Sequence, residues 1–472
     1  MKKNSTARLS RQLATCLVAT ALICAGDSAA QPALPDNAKV REAYAFHVGT
    51  LAYLYGYPMV EMYKKMHNET NKVSPIQDFY APVNRFYHFD GLITPAGKSD
   101  LRAPSGILLY FGGWCDLSKE PVIVHNPNTG GRYYTMAIAD LNLELMHLGR
   151  RTIGTDEHYH ALIGPDWKGA LPSGVRPVQV DTNQIRILGR LLVTDAADLS
   201  KAKALLKQFW LAPLSQWRRG KPPAPTPEPA RTQAIDPMDN LEFFRYLNQG
   251  LRGNPQPAGE VALMTQFDTI GVGPFSEFSA QQLTPGVKAG LLRAIPAARE
   301  MIKAASRSTI TPVNGWMTAN KSGRYGFDYL RRAAKLAAGG FGSLPEESLY
   351  STALVDDRVR PLSGEHRYTM TFKRGATPPV KEFWTLAAYR AEDSQFEQNA
   401  INRYSLGSLS KGLKYAPDGS LTIHFQRHAP PAETSNWLPT PAGKFFILLR
   451  QYEPREALLK GDYRLPPIKR VD

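Results

Sequence analysis

The clearest hydrophobic pattern lies near the C-terminus, at residues 421–426, where apolar and polar side chains alternate one by one. A period of two is typical of a strand with one buried and one exposed face. The preceding Pro417-Asp418-Gly419 predicts a tight turn, because proline presets φ and the next two residues tolerate the left-handed region. Residues 445–449 form an unbroken apolar run, which is typical of a strand covered on both faces. The C-terminal region is therefore predicted to be a β-sandwich.

Shorter apolar runs separated by turn residues predict further strands in both halves of the chain. They lie at residues 107–111, 121–124, 133–139, 159–163, 185–193, 368–372 and 383–389. Several short strands at this spacing favour a sandwich or a barrel over a parallel βαβ array.

Helix-compatible segments lie outside these strand-rich regions. Residues 38–66 are rich in aromatic side chains, and Pro58 is predicted to kink or restart their helix because proline lacks a backbone N–H. Residues 221–230, KPPAPTPEPA, are predicted to be extended. Helical patterns follow at residues 240–251, 286–305 and 325–338.

One short segment of the first half resembles another in the second half. Residues 132–137 (RYYTMA) and 382–387 (EFWTLA) share an aromatic pair, Thr, an aliphatic residue and Ala. Such an echo is expected when a chain contains two domains built alike. The alternative is chance similarity between strand-like sequences.

The first thirty residues have the pattern of a cleaved export signal. Basic residues precede an apolar stretch at residues 13–25, and Ser28-Ala29-Ala30 supplies a small-residue cleavage site. No later stretch reaches the roughly 18 apolar residues of a membrane-spanning helix. The sequence therefore predicts an exported soluble protein that is periplasmic or secreted. Cleavage leaves Cys115 alone, and we interpret it as a small buried hydrophobic residue.

The formal net charge of +15 does not predict nucleic-acid binding. Lysine and arginine are spread along the chain in runs of at most two residues, whereas nucleic-acid-binding proteins concentrate positive charge on one face or helix. We therefore expect no nucleic-acid partner, and the charge fits a surface that attracts anionic molecules weakly.

Several longer phrases resemble a known pair of bacterial domains. They are YYTMAIADL, RRTIGTD and LIGPDWKGALPSG in the first half, and NGWMTANKSGRYGFDYLRRA, KEFWTLAAYR, NRYSLGS, YAPDGSLTIHF, NWLPTPAGKFFILLRQYEP and LPPIKR in the second. They are similar to the domains of unknown function 1254 and 1214, in that order. The resemblance implies a two-domain, mainly β fold with an N-terminal sandwich-like domain and a C-terminal jelly-roll-like domain. It implies no reaction and no cofactor.

Patterns and resemblance together predict a mainly β protein with accessory helices in five parts. These are a signal peptide (1–30), a helical lead-in (31–70), an N-terminal β-sandwich-like domain (71–212), a Pro-rich linker with a helical region (213–345), and a C-terminal jelly-roll-like β-sandwich domain (346–472).

The best metal-like group in the sequence is GTDEHYH. His158 and His160 are two residues apart on a predicted strand, so both project from one face and fit a zinc site if a carboxylate and a third ligand join them. A His-x-His pair has no required partner spacing, and we favour histidines without a metal. A serine-hydrolase elbow, a dinucleotide-binding loop and a phosphate-binding loop are absent from the sequence, and no cofactor is indicated.

Two groups of loop residues have the chemistry of a ligand site. A tryptophan ring stacks on a sugar or another flat apolar face, while asparagine and arginine supply oriented hydrogen bonds. The C-terminal group contains Asn402, Arg403, Tyr404, Asn436 and Trp437, and the N-terminal group contains Asp140, Asn142, Arg150, Arg151 and Trp167. The alternative for both is structural, since such side chains also close sandwich ends and cap loop carbonyls.

These features leave three functional hypotheses. The first is an exported binding protein that holds a glycan or a small amphipathic molecule at the sandwich loops or at the domain interface. The second is a hydrolase or lyase whose site is assembled between the two domains. The third is a structural or assembly protein that uses jelly-roll contacts, with a homo-oligomer as its form.

Overall fold

Two β-sandwiches and a group of helices make up the protein in the computed structural model, which describes residues 36–74, 79–96, 101–227, 229–307, 311–431 and 434–472. The predicted signal peptide, residues 1–30, lies outside the described residues. Within the described ranges, no helix is both long and apolar enough to cross a membrane. The predicted two-domain, mainly β fold is confirmed.

The first sandwich contains nine strands. They are β1 (Tyr87–His88), β2 (Leu108–Asp116), β3 (Val122–Asn126), β4 (Tyr134–Ala139), β5 (Leu145–Gly149), β6 (His158–Ile163), β7 (Arg176–Gln179), β8 (Gln184–Leu192) and β9 (Trp210–Pro213). One sheet has the order β1-β2-β8-β4-β5 and the other has the order β7-β6-β3-β9. Their apolar faces form a core that includes Phe111, Leu162 and Ile187. Cys115 is buried in this core, as predicted, and burial raises the pKa of its thiol.

The second sandwich also contains nine strands. They are β10 (Trp316–Thr318), β11 (Ser348–Ala353), β12 (Tyr368–Phe372), β13 (Trp384–Arg390), β14 (Leu406–Gly407), β15 (Leu421–Gln426), β16 (Trp437–Pro439), β17 (Phe445–Tyr452) and β18 (Lys469–Arg470). The sheet orders are β10-β11-β17-β13-β14 and β16-β15-β12-β18. The alternation predicted at residues 421–426 is present, because Leu421, Ile423 and Phe425 are buried in the core while Thr422 and His424 are half-buried.

The two sandwiches have one and the same topology. Each strand of the second has a counterpart nine positions earlier in the first, and each sandwich contains a single parallel pair, β6–β7 and β15–β16, among its strand pairs. The echo predicted from the sequence falls on equivalent strands, β4 and β13, with Thr135 matching Thr385. The hypothesis of two domains built alike is therefore confirmed.

Equivalent glycines beside these threonines explain part of the conserved geometry of the two sheets. Thr135 pairs with Gly149, and Thr385 pairs with Gly407. A Cβ atom on Gly149 would lie 2.6 Å from the Tyr134 carbonyl oxygen, and a Cβ atom on Gly407 would lie 2.0 Å from the Trp384 carbonyl oxygen. Only glycine permits this close approach of the last two strands in each sheet.

Eight helices surround the sandwiches in the described part of the chain. They are α1 (Ala38–Thr70), α2 (Arg150–Ile153), α3 (Leu199–Leu206), α4 (Glu242–Gly253), α5 (Val261–Asp268), α6 (Pro285–Arg307), α7 (Tyr329–Ala337) and α8 (Glu456–Leu459). The Asn37 side chain caps α1 by accepting hydrogen bonds from the backbone N–H groups of Lys39 and Val40. The helix then runs through Pro58 without ending, so the predicted restart is wrong.

The helices α1, α4, α5, α6 and α7 share one apolar core, although α1 is distant from the others in sequence. The Tyr53 ring stacks on Phe243 with centroids 3.9 Å apart, and Leu291 and Ile295 of α6 belong to the same cluster. Trp114 and Leu141 of the first sandwich complete it. The helical lead-in and the helical region therefore form one unit that packs on the first sandwich.

Candidate functional site

A cavity of about 950 Å³ lies where the five-stranded sheets of the two sandwiches meet. Strands β2 and β8 line it from the first domain and β11 and β17 from the second, while α1, α7 and the segment after α7 close it. Around the cavity, Tyr133 and Leu192 pack against Phe383 and Tyr452, so apolar contacts join the two sheets. The cavity exists only because the two domains are docked.

The alternation of β8 places two arginines in this cavity. Ile185, Ile187 and Leu191 point into the sandwich core, so the residues between them point away from it. Arg186 and Arg190 lie on that second face and line the cavity. In the second domain, β17 places Arg450 in the same way, with Ile447 and Leu449 in the core.

Each domain contributes the same row of four residues across its sheet. The row reads Tyr, Arg, Thr, Gly along the order of the strands, and direct cross-strand pairing fixes every step. The first row is Tyr110–Arg190–Thr135–Gly149, and the second row is Tyr350–Arg450–Thr385–Gly407. A tyrosine and an arginine from each row line the cavity.

Positive charge dominates the cavity wall. The lining contains seven Lys and Arg residues but only two glutamates. Both glutamates are already paired: Glu69 lies 3.0 Å from Arg186 Nη2, and Glu61 lies 2.8 Å from Lys64 Nζ. The remaining cations include Lys335 on α7, whose pKa is lowered by burial. The cavity therefore has an excess of positive charge that its own carboxylates do not neutralise.

Arg190 is a buried cation of the cavity wall without an ion pair or a hydrogen bond among the described residues. Its side chain belongs to a residue that is only 7% exposed, and its Nη1 atom is buried without a hydrogen-bond partner among the described residues. No ion pair to Arg190 occurs in that part of the chain either. A guanidinium that is removed from water and left unpaired is strongly unfavourable. Its counterpart Arg450 donates hydrogen bonds to the Tyr389 hydroxyl and to the Ala103 carbonyl.

The tyrosines of the two rows also differ. The Tyr110 hydroxyl accepts a hydrogen bond from the Ser105 N–H at 2.9 Å, and the residue is 5% exposed. Tyr350 is half-buried, and its hydroxyl lies 3.4 Å from Ser343 Oγ. Burial raises the pKa of Tyr350, but the neighbouring Arg190 and Arg450 more than offset that effect, and the pKa is lowered overall. Tyr350 thus sits in an environment that favours its phenolate.

The C-terminal group of predicted ligand residues lies outside the cavity lining, in a loop held by hydrogen bonds to the protein. Asn436 is buried, and its side chain both accepts from the Lys414 N–H and donates to the Lys414 carbonyl. Trp437 is buried and donates its indole N–H to the Gln426 carbonyl. Arg403 Nη1 donates to the carbonyl groups of Thr434 and Trp437.

The two remaining residues of that group, Asn402 and Tyr404, flank Arg403 in the sequence. Asn402 adopts a left-handed backbone with φ of 48°, and its side-chain oxygen accepts from the Tyr404 hydroxyl at 3.1 Å. The structure therefore brings the five residues together, with most of their polar groups bonded to the protein itself. A ligand-binding role for them stays a prediction.

The N-terminal group is dispersed rather than convergent. Asp140 is buried, its carboxylate accepts from the Glu144 N–H, and burial raises its pKa to about 7. The neighbouring Asn142 is half-buried in the turn after β4. Trp167 is half-buried and packs against a separate apolar cluster on the outer face of the four-stranded sheet.

Arg150 and Arg151 lie instead at the interface between the domains. Arg150 forms an ion pair with Glu382, and Arg151 Nε donates to Glu347 at 2.8 Å. Glu347 is fully buried and also accepts from the Tyr133 hydroxyl at 2.8 Å. This network links the first sandwich to the start of β11. The structural alternative therefore fits these two residues.

His158 and His160 both lie on β6, with ring centroids 5.7 Å apart. His158 Nε2 lies 3.1 Å from the Ile153 carbonyl oxygen, and burial together with His158 lowers the pKa of His160 to about 4. The described residues contain no group of three or more His, Cys, Asp or Glu side chains arranged to hold a metal ion. The described residues therefore supply no third ligand for the zinc alternative.

Sequence reasoning missed Arg190 and Tyr350. One signal was available, because QIRILGRLL places two arginines at the same strand face in an otherwise apolar run. A charged residue in a buried strand is uncommon unless it is paired or functional.

Comparison with known proteins agrees with the two-domain fold. The model for the protein of unknown function DUF1254 matches residues 83–213, and the model for the protein of unknown function DUF1214 matches residues 347–456. No curated protein matches the chain significantly. The crystal structure of the VPA0106 protein from Vibrio parahaemolyticus is similar, with 25% identity, a TM-score of 0.68, and coverage of 91% of this chain and 100% of that chain. An uncharacterized protein from Burkholderia cenocepacia has 13% identity and a TM-score of 0.45, over 93% of this chain and 91% of that chain. The two family matches together span just over half of the sequence, and the chain contains a DUF1254 domain followed by a DUF1214 domain, as the resemblance predicted.

Proposed function

We propose that the protein binds a small organic anion in the cavity between its two domains. The observation that carries this proposal is Arg190, a buried guanidinium without a hydrogen-bonded partner among the described residues. An anionic group on a ligand supplies the missing partner, and a carboxylate or a phosphate fits the fork of the guanidinium with two parallel hydrogen bonds.

The remaining wall of the cavity supports an amphipathic ligand. Leu188, Phe446 and Leu448 provide apolar surface beside the cations, and Tyr80 provides a half-buried ring. Ligand sites combine a mostly apolar wall with a few placed polar groups, in volumes of about 300–1,000 Å³. A cavity of about 950 Å³ is therefore large enough for more than one ring. The predicted export signal supports a role outside the cytoplasm.

Isothermal titration calorimetry tests the proposal directly. The panel contains benzoate, phenylacetate, hexanoate, galacturonate, inorganic phosphate and sulfate, with Arg190→Gln as the test variant. We expect at least one anion to bind, and the variant to bind it about 10–100-fold more weakly, because a hydrogen bond to a charged group contributes about 1.5–3 kcal/mol.

The matched control is Arg358→Gln, which removes the same charge from an exposed residue outside the cavity lining. It should leave the affinity unchanged. If no anion binds, or if the two variants behave alike, the cavity is not an anion site.

A further inference from the structure

The matching rows of the two domains differ in which side chain is hydrogen-bonded to the protein. In the first domain the tyrosine is held, since Tyr110 is buried and accepts the Ser105 N–H, while Arg190 has no hydrogen-bond partner in the described chain. In the second domain the arginine is held, since Arg450 donates to Tyr389 and Ala103, while Tyr350 is half-exposed. One arginine without a hydrogen-bond partner and one half-buried tyrosine therefore reach the cavity, and they come from different domains.

Arg190 and Tyr350 act on each other across the cavity. Both residues line it, and Arg190 is among the charges that favour the phenolate of Tyr350. The charged and titratable groups that face Tyr350 come from every element around it. They are Arg190 on β8, Arg450 and Tyr452 on β17, Tyr389 on β13 and Lys335 on α7. Three of these five are cations.

We propose that Arg190 and Tyr350 form a composite active site that cleaves acidic oligosaccharides by β-elimination, with uronate sugars as the substrate class. This proposal rests on the proposed binding of an organic anion in the same cavity. Arg190 binds the carboxylate of one sugar, and Tyr350 transfers the proton.

The reaction balances with these two residues alone. As a phenolate, Tyr350 takes the proton from the sugar carbon that carries the carboxylate, and Arg190 stabilises the negative charge that develops there. The C–H electron pair forms a double bond to the neighbouring carbon, whose bond to the glycosidic oxygen breaks. That oxygen leaves with the bonding pair and takes the proton from the Tyr350 hydroxyl, which restores the phenolate. The products are an alcohol and an unsaturated uronate, and the step consumes no water, oxidant or reductant.

The charge of the cavity favours an oligouronate over a single carboxylate. Beyond Arg190, the cations Arg102 and Lys335 line the wall without a carboxylate partner in the described residues. Further carboxylates on adjoining sugars supply counter-charges for them. The rings of Tyr80 and Phe446, both half-buried, line the wall and offer apolar surface on which sugar rings stack. Neither feature is explained by a ligand with one charge and no rings.

The test uses trisaccharides of galacturonate, mannuronate and guluronate with the full protein. Product is followed by the near-ultraviolet absorbance of the conjugated double bond and by mass spectrometry. We expect turnover of at least one trisaccharide, a loss of about 100-fold or more in kcat for Tyr350→Phe with affinity little changed, and a rise in KM for Arg190→Gln. The control is Tyr415→Phe, an exposed tyrosine that is expected to retain full activity.

A spectroscopic titration supplies a second readout, which does not depend on turnover. As the pH is raised, tyrosinate absorbance should appear in the wild type at a pH below the ordinary pKa of tyrosine. It should be missing in Tyr350→Phe, which keeps the ring and its packing. If the trisaccharides bind through Arg190 and no unsaturated product forms, or if Tyr350→Phe remains active, the elimination is overturned while anion binding stands. If no uronate and no anion of the calorimetric panel binds, both proposals fail.

Discussion

Arg190 on β8 and Arg450 on β17 occupy the same position in two copies of one topology, yet only Arg450 is hydrogen-bonded within the described chain. The partners of Arg450 come from its own sheet and from the segment before β2. No described hydroxyl or carbonyl group accepts a hydrogen bond from Arg190. The two positions have unequal partners, and under the proposed function a ligand would supply the partner that Arg190 lacks.

Replacing Arg190 should make the protein more stable while it weakens anion binding. In Arg190→Met a buried charge gives way to an apolar side chain of similar length, and we expect the free energy of unfolding to rise by about 1 kcal/mol or more. Urea denaturation of the unliganded protein measures the change. A stabilising substitution that removes function is typical of a residue kept for its chemistry.

The matched substitution is Arg186→Met, four residues earlier on the same strand face. Arg186 is paired with Glu69 at 3.0 Å and lies over the Trp114 ring. Breaking that buried pair should destabilise the protein by about 3 kcal/mol. Equal effects in the two variants would contradict the view that Arg190 is the unpaired one.

The interface network around Glu347 should control how firmly the domains are docked. Glu347 accepts from Tyr133 and from Arg151, and both donors belong to the other domain. Glu347→Gln removes the negative charge that pairs with Arg151. We expect the free energy of unfolding to fall by about 2 kcal/mol, a moderate loss because Arg151 remains partly solvated. Weaker anion binding should accompany it, since the cavity depends on docking.

The neighbouring Glu346 provides the control for this prediction. It pairs with Arg324, which is largely exposed. Glu346→Gln should therefore change the free energy of unfolding by less than about 1 kcal/mol. Urea denaturation compares the two variants, and a separate early transition in Glu347→Gln alone would show that the domains have come apart.

Arg403 tests the loop that the sequence indicated as a ligand site. Its guanidinium donates to three carbonyl groups of the loop before and within β16. Arg403→Ala should destabilise the protein by about 1–3 kcal/mol, because it removes hydrogen bonds from a charged donor. Anion affinity measured by calorimetry should stay the same. Reduced affinity in a variant of normal stability would return the binding role to this loop.

Much of the fold follows from sequence patterns, because alternation and turn chemistry act locally. Residues 421–426 form a strand with Leu421, Ile423 and Phe425 inward, and residues 132–137 and 382–387 occupy equivalent strands. The missing N–H of Pro58 predicted an interruption of α1 that the structure does not show. The helix instead continues and packs along α6, where Gly49 and Gly290 allow close approach. Tertiary packing outweighed the local preference.

The candidate site was not predictable in the same way, because it depends on which polar faces meet. In QIRILGRLL the alternation places Arg186 and Arg190 on one face, and such a face is ordinarily solvated. Here α1, α7, the segment after α7 and the second domain cover it. Conversely, Asn436 and Trp437 have the residue types of a ligand loop, and the sequence does not reveal that their partners are backbone groups of Lys414 and Gln426.

His147 should make stability fall at mildly acidic pH. Burial, together with Arg190, Arg151 and Arg324, lowers its pKa to about 3 in the folded protein. Its Nε2 accepts from the Leu344 N–H and its Nδ1 lies 3.0 Å from Thr135 Oγ1, so the folded state holds the neutral ring. The unfolded chain has the ordinary histidine pKa of about 6.5. Below that value the unfolded state binds a proton that the folded state does not, and stability is lost as the pH falls from about 6.5 towards 3.

The expected slope for this one group approaches about 1.4 kcal/mol per pH unit. Urea denaturation between pH 8 and pH 5 measures it, with His147→Gln as the variant that removes the titration. That variant should be less stable at pH 8, since two hydrogen bonds are disturbed, but should depend less on pH below 6.5 than the wild type. The exposed His47 on α1 gives the control, and His47→Gln should keep the wild-type slope. An unchanged slope in His147→Gln would show that the folded protein accepts a proton at His147, and the neutral contact between the two domains would then need another explanation.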